Sequence, residues 1–357
     1  MTFFVISGRV ICHSGELSST MMATMDKQQM LAVVISRPGG PEVLETTWVA
    51  KPVFSSSEVL VRVRASALNR ADILQRKGRY PAPAGSPANI PGLEFSGEVE
   101  SVGSSTQLWK TGDRVMGLVG GGAQAEYVAV HERTLMKIPS ELGFEQAAAI
   151  PEAFITAHDA LWVQAALRPS ERVLIHAAGS GVALAAIQLA GAMQATPFGT
   201  TRTADKLKRA KEHGLEDGFV LSNAPDAEDG RKWGSTGSFN VVVDLIGGTY
   251  TNASLHALAQ KGRMMLIGTM AGTKTELDLS IILAKRARLM GTVLRARPIE
   301  EKIAVTRRFA AEALPLFSRG TLKPVIDSSF DLREIRAAHE RMESNQSFGK
   351  IVLCIGN

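Results

Sequence analysis

Cysteine is almost missing from this chain: Cys12 and Cys354 are the only two in 357 residues. A pair at opposite ends excludes a disulfide framework and any multi-cysteine zinc site. Long hydrophobic runs are missing too, and no stretch reaches the length needed to span a bilayer. Phe3-Phe4-Val5-Ile6 is too short for a signal-peptide core, and Gly8-Arg9 interrupts it. One arginine alongside Glu16 and Asp26 makes a poor mitochondrial presequence. Residues 1–29 therefore read as a mostly disordered extension, and the expected location is cytoplasmic with no membrane partner, organellar targeting by residues 1–29 being the alternative. Lys and Arg number 40 against 35 Asp and Glu. That excess is modest, and no cationic block interleaved with aromatics accompanies it, so nucleic acid is not the expected partner. No internal repeat or low-complexity stretch is present.

What is present is enough chain for two domains. From residue 30 the pattern is β-rich. Leu31 to Ser36, Glu58 to Ala65, Gly92 to Val102, Asp113 to Gly117 and Ala123 to Val130 read as short strands between Gly/Pro turns. They predict a small, partly open β-barrel. Residues 146–163 read as one helix around Pro151. Strands alternating with helices follow at 172–175, 196–200, 240–245, 263–268 and 288–294, which predicts a doubly wound parallel sheet. A long helix over 298–317, a strand over 323–326, a helix over 332–343 and a last strand over 350–354 finish the chain. The fold class is α/β, divided into a barrel over 30–151, a dinucleotide domain over 152–295 and a C-terminal return to the barrel over 296–357.

Residues 172–202 are the centre of this organisation. The apolar run Arg172-Val173-Leu174-Ile175-His176-Ala177 meets the small-residue turn Ala178-Gly179-Ser180-Gly181, and an apolar helix follows. Small residues let a pyrophosphate approach a helix N-terminus, where unpaired N–H groups favour anions. The glycine fingerprint is degraded: its three key positions read Ala178, Ser180 and Ala183. Taken alone, the turn is equally that of an ordinary buried βαβ unit. The end of the second strand adds context. An NAD site places a carboxylate there for the ribose 2′-OH, whereas this chain has Gly199-Thr200-Thr201-Arg202-Thr203-Ala204-Asp205-Lys206. Hydroxyls and cations suit a 2′-phosphate, so NADPH is expected rather than NADH.

The stretch from Ala65 to Pro81, Ala-Ser-Ala-Leu-Asn-Arg-Ala-Asp-Ile-Leu-Gln-Arg-Lys-Gly-Arg-Tyr-Pro, resembles the signature of zinc-free quinone oxidoreductases. These are medium-chain dehydrogenase/reductases. Pro91-Gly92-Leu93-Glu94-Phe95-Ser96-Gly97, Gly112-Asp113-Arg114-Val115, Ile150-Pro151-Glu152-Ala153 and Gly349-Lys350-Ile351-Val352-Leu353 resemble the same family. Within it, the tumour-suppressor-inducible branch is the most similar. The resemblance implies a GroES-like catalytic domain, a Rossmann cofactor domain, NADPH between them, and a homodimer or homotetramer. It also bears on metal. Zinc relatives carry Gly-His-Glu where this chain has Gly92-Leu93-Glu94, and leucine cannot coordinate zinc. No metal site is expected.

Carried over residue by residue, the resemblance implies that Tyr80 lies beside the nicotinamide, as a proton donor or as a wall. Asn69 lies near its ribose, and Thr156 fixes its carboxamide. It sets Ser180, Gly181 and Val182 at the pyrophosphate and Lys206 at the 2′-phosphate, with Thr201 and Arg202 added from this chain's own residues. Ile246, Met270, Leu294, Arg295 and Ser347 complete the cofactor set. The bland alternatives are a cap role for Asn69, a back-bonded helix threonine at Thr156, and a solvated lysine at 206. Asp244 reads as a strand-end structural carboxylate. Three positions depart from the family: Ala183 for the last fingerprint glycine, Leu221 for a tyrosine and Ser347 for an asparagine. The expected activity is hydride transfer from NADPH to small quinones. Alternatives are a reductase of α,β-unsaturated carbonyls, or a non-catalytic NADPH- and RNA-binding stress protein.

Overall fold

The computed structural model describes residues 28–356. The extension expected over 1–29 lies outside them except for Gln28 and Gln29, and Gln29 already opens the first strand. Strands β1 (Gln29–Ile35) and β2 (Leu44–Ala50) pair antiparallel along seven residues as a sheet of their own. β3 (Glu58–Ala67), β4 (Glu94–Val102), β5 (Arg114–Leu118), β6 (Tyr127–His131) and β7 (Leu135–Lys137) form a second, antiparallel group. On β3 the alternation turns Val59, Val61 and Val63 into the core and leaves Arg62 exposed. Two bulges in the β3–β4 pairing, after Leu60 and after Val63, curl this sheet.

β8 (Arg172–Ile175), β9 (Thr196–Thr201), β10 (Asp217–Val220), β11 (Phe239–Asp244), β12 (Leu258–Leu266) and β13 (Arg288–Gly291) build a six-stranded sheet. Every pairing in it is parallel, and the order is β10-β9-β8-β11-β12-β13. The order reverses between β8 and β11, which opens a crevice beyond the carboxyl ends of those strands. The helix Gly181–Ala192 is buried on most of its surface, and its many alanines let sheet and neighbouring helix approach closely. β14 (Ile326–Asp331) and β15 (Lys350–Cys354) return to the curled sheet, where β15 lies antiparallel to β3. The class is α/β: a curled GroES-like sheet joined to a doubly wound parallel one.

Among the elements that differ from expectation, three break at a proline. The single helix expected over 146–163 is two, Phe144–Ala148 and Pro151–His158, followed by a π-helical turn over Asp159–Gln164. Pro151 sits where a helix starts, because its missing N–H has no intrahelical acceptor there anyway. The helix over 298–317 likewise splits into Ile299–Glu312 and Leu314–Ser318, with Pro315 restarting it. The strand expected over 323–326 begins only at Ile326, since Pro324 cannot donate to a ladder.

Candidate functional site

The turn after β8 is shaped for an anion. Ala177 takes a left-handed backbone, φ 53°, and Ser180 caps the following helix, its Oγ accepting from the Ala183 N–H at 3.3 Å. Gly181 and Val182 occupy the first turn, where N–H groups have no intrahelical acceptor. Both lie half-buried at the crevice. The loop before β15 closes against this turn: the Gly349 N–H donates to the Gly179 carbonyl at 2.9 Å. Gly349 holds φ 101°, and a Cβ there would stand 2.4 Å from the Val325 carbonyl oxygen, so only glycine fits.

Cations gather at the end of β9. Thr201 is buried and donates to the Thr203 carbonyl at 2.9 Å, while Arg202 is exposed. Lys206 lies in the first turn of the helix Ala204–Lys211. Its ammonium reaches across to the Asn345 and Ser347 carbonyls, 2.7 Å each. An ammonium has three donors, so one remains for a ligand. From the barrel side Arg70 donates to the Asn345 side-chain oxygen. Burial first, and then the charge of Arg202, lowers the pKa of both Arg70 and Lys206. Arg202 thus repels both Arg70 and Lys206, and three cations gathered there suit a polyanion.

On the opposite wall is a buried polar cluster. Asn69 caps the helix Arg70–Arg76, its N–H held by the Asp72 carboxylate at 2.7 Å. The Asn69 amide donates to Glu94 Oε1 at 2.9 Å and to the Ala67 carbonyl at 3.2 Å, and its Oδ1 accepts from Lys350 Nζ at 2.7 Å. Lys350 also donates to the Leu68 carbonyl at 2.8 Å and to Glu94 Oε1 at 2.6 Å, which uses all three of its donors. The second Glu94 oxygen accepts the Glu152 N–H at 2.7 Å. A Cβ on Gly181 would lie 2.5 Å from Lys350 Cδ, so the lysine stem crosses directly over the turn. The cluster and the turn are thus two faces of one wall. Burial raises the Asp72 pKa to about 6. Burial and then the Glu94 charge raise that of Glu152 to about 7.

The other expected residues divide into three groups. Ser180, Gly181, Val182, Arg202, Lys206 and Ser347 converge on the turn and its covering loop. Ile246 and Met270 meet at the carboxyl edge of the parallel sheet, where the Ile246 carbonyl accepts from the Ala271 N–H at 2.8 Å. Met270 is exposed and Ile246 half-buried. Thr156 is buried within its helix, and its hydroxyl has no hydrogen bond among the described residues, which does not match the back-bonded alternative. Tyr80 is half-buried, and its ring lies 5.0 Å from the Arg295 guanidinium. Burial raises its hydroxyl pKa. Leu294 is buried beside it in the sequence of the same loop as Arg295.

Arg295, also expected at the cofactor, donates to the Gly120 carbonyl at 2.8 Å, the Tyr80 carbonyl at 3.1 Å and Gln75 Oε1 at 2.5 Å. Its guanidinium ties the dinucleotide sheet to the loop that carries Tyr80. Asp244 accepts from the Ile246 and Gly247 N–H groups and the Thr251 hydroxyl, a set of bonds that shapes the turn after β11. Asp72, Glu94, Glu152 and Lys350 were not singled out as site residues, although all four lie in the motifs that carry the resemblance. A lone buried charge is the available signal. Its partners stand up to hundreds of positions away, so only folding pairs them.

The profile of the alcohol dehydrogenase GroES-like domain matches residues 55–140, and that of the zinc-binding dehydrogenase matches 217–353. A quinone oxidoreductase of Lama guanicoe is 32% identical over 338 residues, spanning 94% of this chain and 100% of that protein. Among solved structures, a mycobacterial protein complexed with NADPH is similar at TM-score 0.81 and 26% identity, over 91% of this chain and 99% of that one. The CurK enoyl reductase is similar at TM-score 0.80 and 26% identity, over 92% and 100%. A GroES-like sheet joined to an NAD(P)-binding sheet defines an oxidoreductase of the dehydrogenase/reductase class. Within that class, the chain belongs to the medium-chain dehydrogenase/reductase family, of the quinone oxidoreductase type. Among the described residues no group of three His, Cys, Asp or Glu side chains is placed to hold a metal ion, and no helix is long and apolar enough to cross a membrane.

Proposed function

We propose that this chain is a cytoplasmic NADPH-dependent oxidoreductase that reduces small quinones without a metal ion. The observation that carries this reading is the gathering of Arg70, Arg202 and Lys206 at the end of β9, with the Lys206 stem packed against Gly179 of the turn. An NADH enzyme would place a carboxylate among them. When bound, the dinucleotide supplies hydride. The chain's residues bind and orient it. Arg202 and the remaining Lys206 donor pair with the 2′-phosphate, and Ser180, Gly181 and Val182 hold the pyrophosphate. Thr156 offers its hydroxyl to the carboxamide. Asn69, Tyr80, Ile246, Leu294 and Met270 wall the nicotinamide end. A quinone needs no Lewis acid because it is already electrophilic, and Leu93 fits that economy.

The test is NADPH and NADH oxidation against a panel of quinones. Lys206→Ala is expected to raise KM for NADPH by about tenfold, the loss of one charge-assisted hydrogen bond, and to leave KM for NADH unchanged. Equal effects on both would remove the cofactor assignment. The similarity to an enoyl reductase favours a second reading, reduction of α,β-unsaturated carbonyls. Turnover of 2-alkenals with inert quinones would select it. Background NADPH consumption with tight RNA binding would select a non-catalytic role instead.

We also propose assembly as a homodimer or homotetramer. β13 is one of the two edges of the parallel sheet, and the adjacent helix Leu279–Lys285 buries none of its residues while exposing Leu279 and Leu283. A second copy related by a twofold can pair edge to edge there and cover those leucines.

A further inference from the structure

We propose that Glu152 delivers the proton that accompanies hydride to the acceptor, through a single water in the cavity that its carboxyl faces. This rests on the reductase reading above. The cavity is lined by Glu152, Leu118, Val119, Leu294, Arg295 and Lys302, and its volume of about 10 Å³ suits about one water. On the reductase reading Leu294 walls the nicotinamide end, and the Arg295 guanidinium faces Tyr80 from the same loop. Glu152 is therefore on the acceptor side of the crevice.

The Glu152 N–H is held by Glu94, but its carboxyl oxygens have no hydrogen-bond partner among the described residues. Glu152 is half-buried, so it is water in the cavity, and no protein donor, that meets its carboxyl. The groups facing it come from five elements. Glu94 on β4 and Asp72 on the helix Arg70–Arg76 press it towards neutrality, and burial does so more strongly. Lys350 on β15 and Arg295 on the loop after β13 favour the ionised form, and Lys302 on the helix Ile299–Glu312 faces it as a further cation. The balance leaves it ready to give up a proton around neutral pH.

The step balances as follows. The C–H bond of the dihydronicotinamide breaks and its hydride bonds to one carbonyl oxygen of the quinone, so the dinucleotide is oxidised and the quinone reduced. The Glu152 O–H bond breaks, and its proton passes through the cavity water to the quinone oxygen that carries the new electron pair. A new O–H bond forms there, giving the hydroquinone. The carboxylate left behind regains its proton from solvent.

Two measurements test this, one of them without cofactor. In the ligand-free protein, infrared difference spectra between pH 6 and 8 are expected to contain a carboxylic C=O band that titrates near 7 and is lost in Glu152→Gln. In turnover, wild-type kcat is expected to fall as pH rises through that range. Glu152→Gln is expected to lower kcat at least tenfold at pH 6.5, flatten the profile and leave KM for NADPH unchanged, and Glu152→Asp to recover part of the rate. Should Glu152→Gln fail to fold, Lys302→Met serves: loss of the facing cation should move the kcat midpoint to higher pH. Wild-type kcat and pH profile retained in Glu152→Gln, an infrared band unaffected by it, or an unmoved midpoint in Lys302→Met overturns the proposal and leaves the reductase reading standing. A wild-type protein inert towards every quinone and enal overturns both.

Discussion

Lys350 and Glu94 set the terms at the residue scale. Their side chains are 7% and 0% exposed, and the pair is completed by Asn69 and by the Leu68 carbonyl. Removing one partner of such a pair leaves a buried charge uncompensated, which costs about 3–5 kcal/mol. Lys350→Met is therefore expected to lower stability by about that amount in a urea titration. Adding Glu94→Gln should restore a good part of it, because the remaining charge is gone. A simple sum of two losses in the double variant would show that the residues do not act as a pair. The same residues mark a limit of sequence reading. Asn69 could be singled out from its motif, and its cap role was weighed as the bland alternative. That its amide also orients Lys350 needed β15 to lie beside β3.

At the scale of elements, strands with plain alternation or continuous apolar runs were legible: β3, β8, β11 and β15 lie within two residues of expectation. Helix boundaries near prolines were not, because periodicity continues through Pro151 and Pro315 while the hydrogen-bond ladder does not. The short helix Arg70–Arg76 was hidden inside a motif recognised as a block. β13 with its neighbouring helix carries the prediction that belongs here. Leu283 is 77% exposed, and Leu283→Glu would place a charge in the proposed interface. Light scattering after size exclusion is expected to give a dimer or tetramer for the wild type and a smaller species for Leu283→Glu. An unchanged mass would place the interface elsewhere.

For the whole molecule, pH dependence of stability sums opposing groups. His176 is wholly buried between the Thr200 and Ser254 hydroxyls, and burial lowers its pKa to about 4. His339, beside Arg76, is lowered to about 3, by burial and then by that charge. For these two the unfolded chain takes up protons first as pH falls below 6.5, so they destabilise the fold in acid. Asp72 and Glu152 act in the other direction: their raised values mean that the folded chain protonates first, and their ionisation weakens it as pH rises towards and past 7. Between pH 4 and 7 the two sets partly cancel. Replacing His176 by Gln is expected to spare the protein ~2 kcal/mol of the loss between pH 6.5 and 5, read from urea unfolding at each pH. A variant whose stability changes in parallel with the wild type would mean that His176 is protonated in the fold.

The division between sequence and fold follows from the range of the interactions. Local patterns determined the α/β class, the two kinds of sheet, the turn after β8 and the cations in place of an acid at the end of β9, since each is written in adjacent residues. Tertiary structure alone decided that Arg295 clamps the Tyr80 loop, that Lys206 reaches Asn345 and Ser347, and that Glu152 faces a cavity among distant charges. Those outcomes depend on which buried donors and acceptors meet across long separations, and a chain shows its partners only once it has closed around them.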